Sequence, residues 1–342
     1  MRYFCTYFDH RYLPQGMALY HSLKEHCPSF HLWILCLSPE AYEILSRKSL
    51  DSVTLLRLED VENGDDELLE AKNNRSLVEY YFTLSPTLPL YVLNHFTEVD
   101  IITYLDSDLY FFADPEPIFD EIGDNSVGII AHRFPPRLKH KEVYGIYNVG
   151  WMSFRRDKNG LGCLEWYRDR CNEWCYDRVE EDRFADQKYL DRFEQLFQGV
   201  HVIQHKGANL APWNVENYKI TEKNGQIYAD EQPLIFFHFQ GLKKLTFFLY
   251  DPGFAGYRTK FLSIVRNKIY FPYIKALEEI EYKFRVNARS GEIREGPRYK
   301  SFRTAFPQLF RFLRISKRMV KIVYANSFVL VTNKKTLQWT FK

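Results

Sequence analysis

The chain has 342 residues, of which 46% are hydrophobic and 26% charged, with 28 Phe, 24 Tyr and 6 Trp. This length and composition exclude a wholly disordered chain and predict one large globular unit with an appendage. The formal net charge of +2 is unevenly distributed, because residues 297–342 contain eleven Lys and Arg and no acid, which leaves −9 for residues 1–296. A segregated basic segment is typical of contact with an anionic surface, either a membrane or a nucleic acid.

The cysteines and the apolar segments indicate the compartment. The six cysteines form no Cys-x-x-Cys pair and show no zinc-type spacing with histidine. The sequence opens on Met1-Arg2-Tyr3-Phe4 without a signal-peptide pattern, and no stretch reaches the roughly 18–20 uncharged apolar residues that span a bilayer. We therefore expect reduced thiols and a cytoplasmic protein that is at most peripheral at the inner face of the membrane.

Short apolar runs alternate with helical patterns in the first part of the chain. The patterns predict strands at 2–8, 31–37, 53–58 and 101–105, and helices at 16–26, 39–47 and 77–96, the last interrupted by Pro86 and Pro89. We expect Ser38 to cap the helix that follows it. This alternation favours a mostly parallel sheet with helices on its faces, that is, the α/β class.

The pattern continues with longer connections and then changes. Strands are predicted at 127–131, 150–154, 200–204 and 234–239, and helices at 162–174 and 184–193. From about residue 257 only helices are predicted, including a basic amphipathic stretch around Phe302. We expect a catalytic α/β domain at 1–255 and a smaller, mainly helical, basic and aromatic-rich accessory region at 256–342.

Two carboxylates, Asp106 and Asp108, directly follow the apolar strand predicted at 101–105. In an open α/β sheet, ligands bind at the carboxyl ends of the strands, and oxygen ligands favour Mg²⁺ or Mn²⁺. An Asp-x-Asp pair also occurs often in solvated turns. Here apolar residues flank the pair on both sides, and buried carboxylates are costly unless a cation compensates them.

His238 is a candidate third ligand, inside the apolar segment that begins at Leu234. Gly241 permits close approach of the backbone, and Lys244 lies where a metal-held diphosphate would need positive charge. The alternative interpretations are a core histidine with its hydrogen bonds satisfied and a solvated turn that carries the lysines.

Taken in order, these segments resemble the GT-A fold nucleotide-sugar glycosyltransferases, and specifically glycosyltransferase family 8, over roughly residues 1–250. Five landmarks occur in the order of that family. They are Asp9-His10-Arg11-Tyr12 with Thr6 and Tyr7 beside it, Asp106-Ser107-Asp108, Tyr147-Asn148-Val149-Gly150, Asp186-Gln187, and His238-x-x-Gly241-x-x-Lys244. The chain departs from the family pattern at Leu245-Thr246, where Pro-Trp is usual, and at Tyr80-Tyr81-Phe82, where the family has Tyr-x-Arg. Arg75 is a candidate replacement for that arginine.

The resemblance implies a function and a set of site residues. The implied reaction transfers a sugar from a nucleotide diphosphate, UDP by the likeness of Asp9, to a hydroxyl of a glycan or lipid-linked saccharide, with retention of configuration. The implied metal ligands for Mn²⁺ or Mg²⁺ are Asp106, Asp108 and His238. The implied donor contacts are Thr6, Tyr7, Asp9, Tyr12, Asp106, Ser107, Asp108, Gly241 and Lys244, and the implied catalytic residues beside the sugar are Asn148, Asp186 and Gln187.

Other functions stay open at the level of the sequence. An inverting enzyme would need a carboxylate base, for which Asp186, Asp191 or Glu216 is available. A sugar-nucleotide pyrophosphorylase would need a glycine-rich loop after the first strand, and residues 8–15 contain no glycine. A non-catalytic scaffold or a nucleic-acid binder would use the basic residues 297–342. We expect an anionic membrane surface rather than nucleic acid as their partner, because the charge of −9 on residues 1–296 repels phosphates. The alternative to membrane contact is a solvated helix that packs its aromatic face on the catalytic domain.

Overall fold

The computed structural model describes residues 1–246, 249–289 and 329–330, without the side chains of 285–289 and 330. The chain divides into two compact units, one made of residues 1–210 and 217–238, the other of 211–216 and 239–342. The domain boundary that we expect at residue 255 stays a prediction. The basic amphipathic stretch around Phe302 lies outside the described residues.

The first unit alternates strands and helices, as expected. Its strands are β1 (Arg2–Phe8), β2 (Phe30–Cys36), β3 (Val53–Arg57), β4 (Ile101–Leu105), β5 (Leu109–Phe111), β6 (Val127–Ala131), β7 (Tyr147–Arg155), β8 (Val200–Ile203), β9 (Ile220–Lys223), β10 (Gln226–Ala229), β11 (Gln232–Pro233) and β12 (Phe236–His238). Its α-helices are α1 (Leu13–His26), α2 (Pro39–Ser46), α3 (Leu58–Glu62), α4 (Asp66–Asn74), α5 (Leu77–His95), α6 (Glu116–Ile122), α7 (Lys158–Glu173) and α8 (Phe193–Leu196). Short 3₁₀ helices span Pro136–Tyr144 and Gln187–Arg192.

A seven-stranded sheet forms the centre of this unit, in the order β3-β2-β1-β4-β7-β6-β8. Every neighbouring pair is parallel except the two that include β7, which runs antiparallel to β4 and β6. The predicted α/β class with a mostly parallel sheet is therefore confirmed. A separate pair, β5 with β12, extends from the carboxyl end of β4.

Helix α5 is one continuous helix, so the predicted interruption at Pro86 and Pro89 was wrong. A proline inside a helix removes one backbone hydrogen bond and favours a kink. In α5 this cost is offset by a capping box between Ser76 and Glu79 and by burial of one long face against the sheet.

Arg75 stabilises the C-terminal end of α7, a role that the sequence did not indicate. Its guanidinium donates to the backbone oxygens of Cys171 and Asn172 at 2.7 Å and to the Thr83 hydroxyl at 2.8 Å. The two backbone oxygens lie in the last turn of α7, where carbonyl groups lack helical partners and favour a cation. Arg75 therefore ties α5 and α7 together.

A cluster of aromatic side chains packs between β7 and β12. Trp151 is fully buried, and its ring stacks on Phe236 with centroids 5.5 Å apart. The rings of Phe4, Phe111 and Phe119 contact Trp151 at tilted or edge-on angles. The cluster therefore joins the strand that carries Asn148 to the strand that carries His238.

The second unit has its own small sheet and helices. Strand β14 (Leu249–Asp251) pairs antiparallel with β13 (Lys243–Lys244) and with β15 (Val329–Leu330). Helices α9 (Ser263–Val265) and α10 (Phe271–Arg289) flank a π-helical turn at Arg266–Tyr270. Among the helices of the described residues, none combines the length and apolarity needed to cross a bilayer.

Candidate metal centre

Asp106, Asp108 and His238 converge at the carboxyl end of β4. Asp106 and Asp108 lie in the turn between β4 and β5, and the antiparallel pairing of β12 with β5 sets His238 opposite Leu109. His238 Nε2 is 3.1 Å from Asp108 Oδ1 and 3.7 Å from Asp106 Oδ2. One ligand atom from each of the three residues lies within 4.8 Å of the others. The set therefore has the geometry of a cation site at the position where α/β folds bind ligands.

Burial gives this trio unusual electrostatics. The His238 side chain is 3% exposed and the two carboxylates are each 23% exposed. Burial raises the pKa of Asp106 to about 6, with the charge of Asp108 adding to the effect and that of His238 opposing it. Burial lowers the pKa of His238, but the charges of Asp108 and Asp106 outweigh it and the net pKa is raised. A divalent cation would neutralise both carboxylates, and this donor set of two oxygens and one imidazole nitrogen fits one.

The raised pKa values predict that cation binding weakens in acid. A metal ligand must be deprotonated, so protons compete with the cation for Asp106 and His238. Because both pKa values lie above their usual range, competition begins at a higher pH than for exposed residues. We expect Mn²⁺ affinity measured by titration calorimetry to fall steeply as the pH drops through about 6. An affinity that stays constant from pH 7.5 to pH 5 would contradict this expectation.

Asp186 lies close to the three candidate ligands and is hydrogen-bonded to one of a series of buried hydroxyl groups. The Ser85 hydroxyl donates to Asp186 Oδ2 at 2.6 Å and lies 3.0 Å from the Tyr7 hydroxyl. The Tyr104 ring packs on the Tyr7 ring with centroids 5.5 Å apart, and the Tyr104 hydroxyl donates to Asp106 Oδ1 at 2.9 Å. Burial, with the charge of Asp106 adding to it and the Ser85 hydrogen bond opposing it, raises the pKa of Asp186 to about 7.

Asn148 and Gln187 lie on the other side of His238. Asn148 Oδ1 is 3.1 Å from His238 Nδ1, and its Nδ2 lies 3.3 Å from both Gln187 Oε1 and His132 Nε2. Gln187 Nε2 donates to the backbone oxygen of Tyr144 at 2.9 Å. The structure thus brings Asn148 and Gln187 into one hydrogen-bonded group with His238.

Of the residues predicted to contact the nucleotide, Thr6 and Tyr7 lie in β1, and Asp9 and Tyr12 follow it. Asp9 Oδ1 accepts from the backbone nitrogens of Arg11 and Tyr12 at 2.9 and 3.2 Å, so this carboxylate fixes the turn into α1. Tyr12 is 53% exposed, and its partial burial, together with the charges of Asp108 and Asp9, raises its pKa. Thr6 is fully buried within β1.

Gly241 and Lys244 belong to the second unit. Gly241 has φ +80°, a left-handed conformation that favours glycine. Lys244 Nζ donates to Glu281 Oε2 at 2.9 Å and lies 5.4 Å from the Tyr250 ring centroid. The roles in diphosphate binding that the resemblance implies for these two residues stay predictions.

The sequence did not predict three residues beside the site, namely Ser85, Tyr104 and His132. Tyr104 had a usable signal, because in an extended strand residues two apart share a face and Tyr104 precedes Asp106 by two. Ser85 sits in an apolar helix and His132 at the end of a strand, and neither belongs to a recognisable spacing.

Comparison with known proteins gives relatives and a fold. No protein-family model matches the chain. The Bacillus subtilis (strain 168) protein YfnD, described as uncharacterized, is 35% identical over 289 residues, which are 82% of this chain and 92% of YfnD. YfnF of the same organism, also described as uncharacterized, is 34% identical over 248 residues, 70% of this chain and 81% of YfnF.

Among solved structures, the chain is similar to the galactosyltransferase LgtC in complex with donor and acceptor sugar analogs. The TM-score is 0.50, with 14% identity, and the match covers 81% of this chain and 95% of LgtC. At this identity the likeness concerns the fold alone, and it confirms the predicted GT-A architecture and the resemblance to its glycosyltransferases. The chain belongs to the family of YfnD and YfnF, and it folds as a GT-A glycosyltransferase.

Proposed function

We propose that the protein is a metal-dependent glycosyltransferase that moves a sugar from a nucleotide diphosphate, a UDP-sugar, to a hydroxyl of a glycan or lipid-linked saccharide. The observation that carries this proposal is the convergence of the neighbouring Asp106 and Asp108 with His238, which is distant in sequence, at the carboxyl end of β4 in a GT-A fold. Such a cluster serves a reaction in which a diphosphate leaves, because negative charge builds on its oxygens as the glycosidic bond breaks.

Separate groups of residues have separate roles in this reaction. Asp106, Asp108 and His238 would hold Mn²⁺ or Mg²⁺, which supplies positive charge to the departing diphosphate when bound. Tyr104 donates to Asp106 and so holds its carboxylate toward the site. Ser85 does the same for Asp186, which we propose contacts the sugar ring.

We propose retention of configuration, on the resemblance to family 8. Of the candidate bases for an inverting reaction, Asp191 accepts from the Ile146 backbone nitrogen at 2.8 Å, and Asp186, which is 3% exposed, accepts from the Ser85 hydroxyl at 2.6 Å. Proton NMR of the product formed from an α-linked donor decides the matter, because retention gives an α-linked product and inversion a β-linked one.

A screen of nucleotide sugars tests the function as a whole. The protein is incubated with UDP-, GDP- and CDP-sugars with Mn²⁺, with Mg²⁺ or with a chelator, and free nucleotide diphosphate is measured. We expect cleavage of a UDP-sugar that depends on the added cation. Absence of cleavage and of donor binding across the whole screen, by a protein that binds Mn²⁺, would contradict the proposed function.

The basic residues 297–342 support a further part of this proposal. Their eleven Lys and Arg, interleaved with aromatic residues, suit an anionic membrane leaflet, at about 1 kcal/mol per basic residue close to the surface. We propose a cytoplasmic enzyme, peripheral at the inner face of the membrane, that acts on a lipid-linked acceptor of cell-surface polysaccharide biosynthesis. Removal of residues 297–342 should abolish sedimentation with anionic liposomes. Unchanged sedimentation of the shortened protein would refute the membrane contact.

A further inference from the structure

Asn148 is a buried amide with every hydrogen-bonding position occupied by protein atoms. The residue is 3% exposed on β7. Its Oδ1 accepts from the Gly150 backbone nitrogen at 3.2 Å and faces His238 Nδ1 at 3.1 Å. Its Nδ2 faces Gln187 Oε1 and His132 Nε2, each at 3.3 Å. An asparagine amide offers two lone pairs and two hydrogens, so these four partners use its full capacity.

Backbone groups fix the direction of each of these hydrogen bonds. A backbone nitrogen can only donate, so the atom of Asn148 that faces Gly150 is the oxygen. A backbone oxygen can only accept, so the atom of Gln187 that faces the Tyr144 oxygen is the nitrogen. Gln187 therefore presents its own oxygen to Asn148 Nδ2. The amide orientation of Asn148 is thus set from both ends.

His132 reinforces this orientation. Its Nδ1 lies 3.1 Å from the Ile146 backbone oxygen, so Nδ1 carries the hydrogen and Nε2 offers its lone pair to Asn148 Nδ2. Burial lowers the pKa of His132 to about 4, which keeps the ring neutral and Nε2 an acceptor. The Phe134 ring stacks on His132 with centroids 4.7 Å apart and holds it in place.

The orientation of Asn148 determines which nitrogen of His238 is available to a cation. Because Asn148 Oδ1 can only accept, His238 Nδ1 must donate to it, so Nε2, which faces Asp106 and Asp108, is the nitrogen that can bind a cation once its own proton is lost. We propose that Asn148, oriented by Gln187 and His132, is a positioning residue that fixes the tautomer and ring orientation of His238 for cation binding. This inference rests on the proposed function, because it concerns the same metal centre.

Gly150 supplies independent support from packing. Strand β7 pairs with β6 through Met152 and then through Asn148, so residues 149–151 form a bulge beside the site. A Cβ atom at Gly150 would lie 2.6 Å from Asn148 Oδ1 and 2.9 Å from His238 Nδ1. Only glycine therefore leaves room for the contact between Asn148 and His238. This contact explains why a glycine stands two residues after Asn148.

Mn²⁺ affinity without any donor sugar tests the inference, with melting temperature measured in parallel. We expect Asn148→Leu to weaken Mn²⁺ binding about 10- to 100-fold, the usual effect of losing such an outer partner. Asn148→Asp retains an oxygen for Gly150 and His238, and we expect it to bind within about tenfold of wild type. Gly150→Ala keeps Asn148 but forces its oxygen away, so it should weaken binding as Asn148→Leu does.

Two controls separate positioning from folding and from charge. Asn172→Leu makes the same change at a buried asparagine on α7 and should leave Mn²⁺ affinity unchanged. The double variant Asn148→Leu, Gln187→Glu adds the charge of Asn148→Asp without an acceptor for His238, so it should bind as weakly as Asn148→Leu. Affinity restored in this double variant would mean that charge alone acts, and would overturn the proposal.

A spectroscopic measurement on the wild-type protein completes the test. In ¹⁵N-histidine-labelled protein saturated with Mg²⁺, with His238→Gln for assignment, we expect His238 Nδ1 to carry a proton. An unprotonated Nδ1, or wild-type affinity in a folded Asn148→Leu variant, would overturn the inference. Failure of Mn²⁺ binding by the wild-type protein would also overturn it. Normal cation binding without cleavage of any nucleotide sugar would instead refute the proposed function and leave the role of Asn148 intact.

Discussion

Replacement of Asp106 and Asp108 by asparagine is expected to lower cation-dependent cleavage of the donor sugar by on the order of 10³-fold. A bound cation contributes several kcal/mol of charge stabilisation to such a transition state, and each ~1.4 kcal/mol corresponds to a factor of ten in rate. Asparagine keeps the shape of each side chain but removes its charge. The measurement is the release of nucleotide diphosphate from the best donor of the screen, by wild type and by D106N, D108N and the double variant.

The matched control for this prediction is Asp51→Asn. Asp51 is an exposed carboxylate that pairs with Lys24, and surface pairs of this kind contribute little. The control should cleave the donor at the wild-type rate. If the double variant cleaves at the wild-type rate, with chelator and without, the carboxylates hold no catalytic cation.

Trp151→Ala is expected to destabilise the first unit by about 3–5 kcal/mol, the usual cost of truncating a large buried aromatic side chain. Trp151 contributes to the contacts with Phe236 and Phe119 and donates through Nε1 to the Ser153 hydroxyl at 3.0 Å. Alanine would leave a cavity beneath the sheet and remove one of the two hydrogen bonds of the Ser153 hydroxyl, whose other partner is Thr103 Oγ1 at 2.9 Å. Urea unfolding followed by circular dichroism measures the free energy difference.

The same substitution should also weaken the metal centre. Phe236 precedes His238 by two residues on β12, and Trp151 follows Gly150 on β7, so loss of the ring loosens both strands. We expect Trp151→Phe, which retains an aromatic ring, to recover most of the stability and of the Mn²⁺ affinity. A loss below about 1 kcal/mol for Trp151→Ala would show that the aromatic cluster does not hold these strands together.

The architecture of the first unit was predictable because local pattern and burial agree. The apolar run of residues 101–105 is a strand buried along its whole length, and Ser38 caps α2 by accepting from the Ala41 nitrogen, as expected. The segment predicted as a helix at 184–193 was only partly right, since a 3₁₀ helix begins at Gln187 and α8 at Phe193. Ala185 has φ +45°, and a non-glycine residue in this left-handed region interrupts a helix for reasons that lie in its tertiary contacts.

The candidate site was predictable in its ligands but not in their supports. Asp106, Asp108 and His238 stand out because charge and imidazole interrupt apolar strands. The residues that orient them carry no such contrast: His132 reaches Asn148 only because β6 and β7 are neighbours in the sheet, and Ser85 reaches Asp186 only through the packing of α5. Pairings of this kind depend on tertiary structure, which residue spacing does not encode.

The burial of all six cysteines has a practical consequence for experiments on this protein. Burial raises the pKa of Cys27 to about 11 and that of Cys36 to about 12, so little of the reactive anion forms at neutral pH. Alkylating reagents should therefore modify the native protein only when a segment opens. Because Cys5 lies on β1, Cys36 on β2 and Cys163 on α7, mass spectrometry after a timed pulse of reagent would rank how readily separate parts of the first unit come apart.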